Sequence, residues 1–295
     1  MNQAQHIIKG WSFQNLLFEY YRYAPCPAEW MPMHCHDEYQ FCLSLDCPGE
    51  YEYRRTHYWV PAASLSILHP GEMHTGRDIV DRQTDATFRM LYVSQSVLQT
   101  VIAEMEDCTT DLPFFSNPII LDTDLARRFL TFHTASASSV SRLEQDALLL
   151  TVLAESIQRY ADNPPAPRPI RRERQAVRQV RDYLHDRAGE NVTLDRLAQI
   201  VHLSPYYLSR VFRAEVGVSL QRYQTQVRIN RSKLLLAQGM AIHQVAAQTG
   251  FVDQSHFTHQ FRRTVQVTPG QYQRKTGGNS QKQRKDLQDS VDQAE

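Results

Sequence analysis

The clearest pattern in the chain is a helical spacing of apolar residues that occurs twice, about 48 residues apart, between residues 192 and 272. Each copy predicts a short helix, a tight turn and a second helix. In the first copy, Ser204 followed by Pro205 is a typical helix start, and Gly217 is a typical helix end. In the second copy, Asp253 takes the capping position. The repeat therefore predicts two helix-turn-helix units.

The second helix of each unit carries polar side chains on the side opposite its apolar residues. Arg, His, Gln, Ser and Thr side chains suit base edges and phosphates, so we predict that these positions bind double-stranded DNA. They are Tyr206, Ser209, Arg210 and Arg213 in the first unit, and Gln254, Ser255, His256, His259, Arg262 and Arg263 in the second. The alternative is an all-helical protein-binding domain with a polar exterior.

Residues 1 to about 120 alternate with period two, which is typical of β-strands. The strand-like runs are Leu16–Tyr23, Tyr39–Leu45, Tyr51–Val60, Ser64–Leu68 and Phe88–Val93, separated by turns that contain proline and glycine. Short strands with regular turns predict a barrel or sandwich. Two helices are predicted to follow, over 124–134 and 141–160. The second is apolar over a wide arc, so it packs either wholly inside the domain or also on a partner.

A proline-rich segment at residues 163–170 is expected to be a semi-rigid linker, because proline disfavours both helix and central strand. The chain then divides into a β-barrel domain at 1–162, with its two helices, and an all-α domain at 171–275. Residues 276–295 contain almost no apolar side chains and are expected to be disordered.

Charge is distributed unevenly along the 295 residues, although the total is zero. Residues 1–170 contain 12 Lys and Arg against 21 Asp and Glu, whereas residues 171–275 contain 17 against 7. The basic half is suited to a polyanion such as DNA.

The apolar runs and cysteines indicate the cellular environment. No run of 18 apolar residues occurs, and the N-terminal sequence lacks the pattern of a signal peptide. The five cysteines have no CxxC spacing, so neither a disulfide framework nor a cysteine zinc finger is indicated. We expect a cytoplasmic protein without a membrane partner.

Three histidines and a glutamine form a second group of chemically informative residues: His34, His36, Gln40 and His74. On one strand, the even-numbered positions 34, 36 and 40 would share a face. Three roles are open for these side chains. They could contact a small molecule, they could bind a divalent metal ion such as Zn, Fe, Mn or Ni, or they could have a structural role only. We take contact with a small molecule as the leading hypothesis, with no cofactor required. No nucleophile or nucleotide-binding motif is present, and we expect no enzymatic activity.

Residues 171–275 resemble the DNA-binding domain of the AraC/XylS family of transcription regulators. The matching positions include Leu197-Ala198, Leu208-Ser209-Arg210, Phe212-Arg213, Gly217, Arg228, Val245-Ala246, Gly250-Phe251, Gln254-Ser255-His256-Phe257, Phe261-Arg262-Arg263 and Thr268-Pro269. Leu220 and Gln266 depart from the family's usual proline and glycine. Residues 15–110 resemble the cupin-like barrel that these regulators use to sense effectors, and the HxH and PGxxH motifs are similar to cupin metal motifs.

The resemblance implies a transcription regulator, activating or repressing, that is controlled by a small-molecule effector in the N-terminal barrel. Its expected partners are promoter DNA, the effector and a second copy of the chain, with RNA polymerase as a further candidate. The alternative is a metal-dependent cupin enzyme, a dioxygenase or isomerase, fused to a DNA-binding domain.

Overall fold

The computed structural model describes residues 6–14, 16–105, 111–138, 141–166 and 173–276. Within these ranges the chain forms two compact units, one made of residues 6–138 and 148–166 and the other of residues 141–147 and 173–276. The C-terminal part of the proposed linker, 167–170, and the proposed disordered tail from 277 onward lie outside the described residues.

The first unit is built on two antiparallel sheets. The larger contains β1 (Ile7–Phe13), β2 (Leu16–Tyr23), β3 (Tyr39–Ser44), β6 (Ser64–Leu68), β8 (Ala86–Val93) and β9 (Ile119–Ile120), in the order β1-β2-β8-β3-β6-β9. The smaller contains β4 (Gly49–Tyr53), β5 (Thr56–Val60) and β7 (His74–Asp78), in the order β5-β4-β7. The sheet-rich N-terminal fold predicted from the alternation is confirmed.

The two faces of the larger sheet differ in chemistry. One row of paired residues is wholly apolar: Phe18, Leu91, Phe41 and Ile67. This face packs against α2 (Thr123–Ser136), where the Phe18 and Phe132 ring centroids are 5.4 Å apart. The neighbouring row, on the other face, contains Glu19, Met90, Cys42 and Ser66. The polar face is directed toward the smaller sheet, since Ser66 Oγ lies 3.4 Å from Tyr51 Oη.

Several elements of the first unit differ from the sequence prediction. The run 51–60 is a hairpin of β4 and β5, because Arg54 and Arg55 take left-handed φ angles of 51° and 61° in the turn between them. Helix α1 (Gln95–Met105) was not predicted. Helix α3 (Arg142–Tyr160), whose first residues belong to the second unit, agrees by contrast with the predicted bounds of 141–160.

The second unit is helical and contains the predicted repeat. Its helices are α4 (Arg174–Asp186), α5 (Leu194–Val201), α6 (Pro205–Val216), α7 (Leu220–Ala237), α8 (Ile242–Gln248) and α9 (Gln254–Val265), and residues 269–276 are also helical. The pairs α5–α6 and α8–α9 are the two helix-turn-helix units. In the second, Phe257 and Phe261 are fully buried with Phe251, Ile229 and Leu236. The helical C-terminal fold is confirmed.

The connection between the two helix-turn-helix units is held by an arginine in α7 and two glycines. The Arg228 side chain is 3% exposed, and its Nε and Nη2 donate to the carbonyls of Ala188 and Glu190 at 2.9 and 2.8 Å. A Cβ added to Gly189 would lie 2.7 Å from the carbonyl oxygen of Gln248, and one added to Gly250 would lie 2.7 Å from that of Gly189. The loop before α5 and the turn after α8 therefore meet backbone to backbone.

No helix in the described ranges is long and apolar enough to span a membrane.

Candidate functional site

Helices α6 and α9 begin and end in the same way. Each begins with a polar cap, with Tyr207 N donating to Ser204 Oγ at 3.2 Å in α6 and His256 N donating to Asp253 Oδ1 at 2.6 Å in α9. Each ends at a residue in the left-handed conformation, Gly217 with φ 80° and Gln266 with φ 67°. These signals fix the length of both helices at 12 residues.

The predicted DNA-contacting residues differ in exposure. Arg213, Gln254, Ser255, His259, Arg262 and Arg263 are exposed, whereas Tyr206, Ser209, Arg210 and His256 are half-buried. The guanidinium of Arg210 lies over the Tyr206 ring, 5.6 Å from its centroid. A planar cation on an aromatic ring has few accessible orientations, which favours a directed contact.

Two predicted residues are less accessible than their spacing indicated. The His256 ring packs edge-on against Phe251, with centroids 5.7 Å apart, and burial lowers its pKa. The Ser209 hydroxyl is buried and has no hydrogen-bond partner among the residues the structure describes. Helical periodicity placed His256 and Ser209 on the polar side of their helices, but it does not report the residues from other parts of the fold that cover that side.

One shallow groove collects most of the exposed polar residues of α9. It is lined by Gln254, Ser255, Thr258, His259, Arg262 and Thr268. Thr268 was not among the predicted residues, because it follows the helix and joins the groove only in three dimensions. The groove combines amide, hydroxyl, imidazole and guanidinium groups, which together can contact both base edges and phosphates.

The histidine cluster of the first unit is assembled from two chain segments. Backbone hydrogen bonds of 2.9 and 2.8 Å join His34 and His74 in an isolated bridge, and Gly71 N donates to the carbonyl of His36 at 2.7 Å. Ring centroids are 4.4 Å apart for His34 and His74, 5.0 Å for His34 and His36, and 5.2 Å for His36 and His74. The structure therefore brings the three predicted histidines together.

The prediction that His34, His36 and Gln40 share one face of a single strand was wrong. Strand β3 begins at Tyr39, and Asp37 and Glu38 form a bend, so His34, His36 and Gln40 do not lie on one continuous strand. Gln40 nevertheless lies close enough to His36 to raise its pKa, against the larger lowering by burial. Burial lowers the pKa of His74 to about 4.

Hydrogen bonds define which ring nitrogen is protonated in two of the histidines. His34 Nδ1 lies 2.8 Å from the carbonyl oxygen of Pro32, and His74 Nδ1 lies 2.9 Å from that of Glu72. A carbonyl oxygen only accepts, so each Nδ1 carries the proton in the neutral ring and each Nε2 presents a lone pair. The Nε2 atoms of His36 and His74 are buried and have no partner among the described residues.

Beside the histidines, the polar face of the larger sheet carries groups that the sequence did not single out. Tyr92 pairs with Gln40 across β8 and β3, and its ring centroid is 5.0 Å from that of His36. Tyr21 Oη donates to Glu19 Oε2 at 2.7 Å, and burial and then the Glu19 charge raise the pKa of Tyr92. The sequence shows that Glu19 and Tyr21 share one face of β2, but only the strand register places these residues and Tyr92 near His36.

Comparisons with known proteins agree with this architecture. Residues 19–153 match a family model described as an AraC-like ligand-binding domain, and residues 197–275 match one described as a helix-turn-helix domain. The uncharacterized HTH-type transcriptional regulator YbfI of Bacillus subtilis is 29% identical over 228 residues, which is 76% of this chain and 80% of that one. The arabinose operon regulatory protein of Escherichia coli is 32% identical over 136 residues, 45% of this chain and 43% of that one.

Solved structures include the C-terminal domain of the response regulator yesN from Fusobacterium nucleatum, at 31% identity and a TM-score of 0.32. That match covers 34% of this chain and 98% of that one. ToxT from Vibrio cholerae matches at 12% identity and a TM-score of 0.35, covering 88% of this chain and 97% of that one.

The two family matches, with the paired helix-turn-helix units and the sheet-rich first unit, define a DNA-binding transcription regulator that has a ligand-binding domain. The chain belongs to the AraC family of these regulators.

Proposed function

We propose that α6 and α9 are the recognition helices of the regulator and that each enters the major groove of the operator. The supporting observation is their equivalence, because both are capped helices of the same length that follow a short helix and a turn. The contacts are assigned to Tyr206, Ser209, Arg210, Arg213, Gln254, Ser255, His256, His259, Arg262 and Arg263. The exposed members of this set and the groove on α9 give the proposal its strongest support.

The contact made by Arg210 tests this assignment. If its guanidinium binds a base edge, Arg210→Ala weakens operator binding by about 1–3 kcal/mol and relaxes preference at one base pair. Binding is measured by fluorescence anisotropy with the full chain, on a selected operator and on random DNA. Arg274→Ala is the matched control, because Arg274 is exposed and lies after α9, the last helix of the second helix-turn-helix pair. An equal loss on both DNAs would reassign Arg210 to the phosphate backbone.

The ligand-binding site is proposed to be the group of His34, His36, Gln40 and His74, together with the adjacent polar face that carries Glu19 and Tyr92. Support comes from the buried Nε2 atoms of His36 and His74, which have no hydrogen-bond partner in the described part of the chain, and from a polar interior face that packing alone does not require. A screen of metabolites against the full chain by thermal shift tests it, since a specific ligand stabilises the folded state by mass action. His36→Ala is expected to abolish the shift and to leave operator binding without ligand unchanged.

The remaining parts of this proposal concern partners and chemistry. We place the regulator in the cytoplasm as a homodimer that contacts RNA polymerase, with α3 as the element that contacts the second copy. Its curated relatives are transcription regulators, and the chain is proposed to have no catalytic activity of its own. Turnover by the purified protein of a dioxygenase or isomerase substrate, dependent on a divalent metal, would favour the cupin enzyme instead.

A further inference from the structure

The face of the larger sheet that is directed toward the smaller sheet contains a single acidic residue and no basic one. Three rows of four paired residues cross β2, β8, β3 and β6 on this face, and they run from Leu17, Glu19 and Tyr21 to Leu68, Ser66 and Ser64. Glu19 is the one Asp, Glu, Lys, Arg or His residue in these rows. The arginines of β2 and β8, Arg22 and Arg89, alternate onto the opposite face. The face therefore presents a negative charge to a ligand.

Glu19 has a hydrogen-bond donor but no salt-bridge partner in the part of the chain that the structure describes. Its Oε2 accepts a hydrogen bond from Tyr21 Oη at 2.7 Å. The guanidinium of Arg82, which lies beside the end of β2, is already paired with Asp78. A carboxylate without a counter-ion inside a sheet-rich domain is costly, so its charge calls for a partner that the chain itself does not supply.

The surroundings of Glu19 are accessible to a ligand. Leu91, on the opposite face of the sheet, is fully buried, whereas Glu19, Met90 and Tyr92 are only half-buried. Leu17, in the neighbouring row, is 45% exposed although it lies on the inward face. The space beside β2 and β8 is therefore open to solvent rather than filled by side chains.

Aromatic rings and a hydrogen-bond acceptor extend the site from Glu19 to the histidines. The His36 ring centroid is 5.0 Å from that of Tyr92 and 5.2 Å from that of His74. Burial lowers the pKa of His36, and the Glu19 charge opposes this shift in part, so the two side chains lie within electrostatic reach. His74 is 3% exposed, and its Nε2 lone pair has no partner among the described residues. A carboxylate, tyrosine rings and an unused imidazole acceptor together suit a cation that carries N–H donors.

The charge of the site decides between classes of ligand. An anionic ligand would meet the Glu19 carboxylate without a cation on the same face to offset the repulsion. A neutral sugar would satisfy hydroxyl and amide groups but would leave the carboxylate desolvated and without a counter-ion. An organic cation compensates the charge directly, and its N–H groups can also be accepted by the histidines.

We propose that the effector is a small organic cation with N–H donors, a primary ammonium or guanidinium compound, and that its charged group pairs with Glu19. This inference rests on the proposed function, which places the ligand at the same site.

A thermal-shift panel on the full chain tests the class of ligand. The cations are ethylamine, putrescine, methylguanidine and agmatine, and they are compared at equal ionic strength with tetramethylammonium, butyrate and glucose. A chelator is present throughout. At least one amine or guanidine should raise the melting temperature at about 10 mM, because binding stabilises the folded state by mass action. Tetramethylammonium, which has the charge without the N–H groups, should not. No shift with any of the four cations would overturn the proposal.

Glu19→Gln tests the residue, because it removes the charge and keeps the shape of the side chain. The affinity for the amine that binds, measured by calorimetry, should fall about 10-fold or more. Glu52→Gln is the matched control, since Glu52 is a half-buried carboxylate of β4 that alternates away from the inward-facing Tyr51. It should bind like the wild type. An equal affinity in Glu19→Gln and the wild type would exclude Glu19 as the partner of the cation.

A change in the ligand keeps the test decisive if Glu19→Gln fails to fold. In 1,4-butanediol, hydroxyl groups replace the ammonium groups of putrescine on a chain of the same length. The wild type should bind this neutral analogue about 10-fold or more weakly than putrescine. Equal shifts with the two compounds would show that charge is not recognised.

The same measurements distinguish this inference from the proposed function, and none of them involves DNA. If a neutral or anionic compound stabilises the chain and His36→Ala abolishes the shift, the cation inference falls and the proposed ligand site stands. If a compound stabilises the chain equally in the wild type, His36→Ala and Glu19→Gln, both fall.

Discussion

Replacing Arg228 by methionine is expected to destabilise the second unit strongly. Methionine keeps much of the apolar stem and removes the guanidinium. The change removes the donors to the carbonyls of Ala188, which is buried, and of Glu190, which is exposed; these carbonyl oxygens lie 2.9 and 2.8 Å from the guanidinium nitrogens in the wild type. Because these carbonyls belong to the loop that also meets Gly250, the contact between the two helix-turn-helix units should loosen as well.

The expected loss follows from opposing contributions. A hydrogen bond from a charged donor contributes about 1.5–3 kcal/mol, so the two bonds together contribute about 3–6 kcal/mol. Burial opposes this, since it disfavours the charged form and lowers the pKa of Arg228 to about 10. We therefore expect a net loss of about 3 kcal/mol, within the usual range for breaking a buried polar network.

Hydrogen exchange measured by mass spectrometry on the full chain separates the two units. The slowest amides of α4 to α9 should exchange about a hundredfold faster in Arg228→Met, because 1.4 kcal/mol corresponds to a factor of ten. Amides of the β-strands in the first unit should be unaffected. Arg231→Met, an exposed change on the same helix, should alter stability by less than about 0.5 kcal/mol. A loss below about 1 kcal/mol for Arg228→Met would refute the structural role assigned to this arginine.

Two further predictions concern backbone strain and acid stability. Gln266 adopts a left-handed φ of 67°, so Gln266→Gly should stabilise the second unit by about 0.5–1 kcal/mol, measured by urea denaturation. Gly217→Gln should destabilise it by a similar amount. A loss of stability in Gln266→Gly would contradict this reasoning. Burial lowers the pKa of both His69 and His133 to about 4. Protonation therefore favours the unfolded chain, and stability present above about pH 6.5 should be lost as the pH falls toward 4, so a melting temperature constant over that window would be contrary.

The second unit was predicted well because its signals are local. Ser204, Asp253 and Gly217 mark helix ends through groups within a few residues, and Phe257 and Phe261 mark the buried face by helical spacing alone. Exposure on the opposite face was predicted less well. The His256 ring turns toward Phe251, which periodicity within α9 does not encode.

The first unit was harder, because its site depends on pairing between distant strands. The even spacing of His34 and His36 suggested a shared face, but their meeting with His74 arises from the bridge between two irregular segments. The contribution of Tyr92 follows from the β3–β8 register, and a register between strands separated by many residues leaves no local signal. The hairpin turn at Arg54 was missed because its left-handed residues are arginines rather than the glycine or asparagine that such turns favour.

Hydroxyl-radical footprinting of the full chain, on an operator selected from random sequence, is the most direct test of the two recognition helices. We predict two short protected patches for each protomer on one face of the DNA, about one helical turn or ~34 Å apart. Arg262→Ala with Gln254→Ala should remove one patch, and Arg210→Ala should weaken the other. A single patch per protomer that survives the α9 substitutions would contradict the assignment of α9 as a recognition helix.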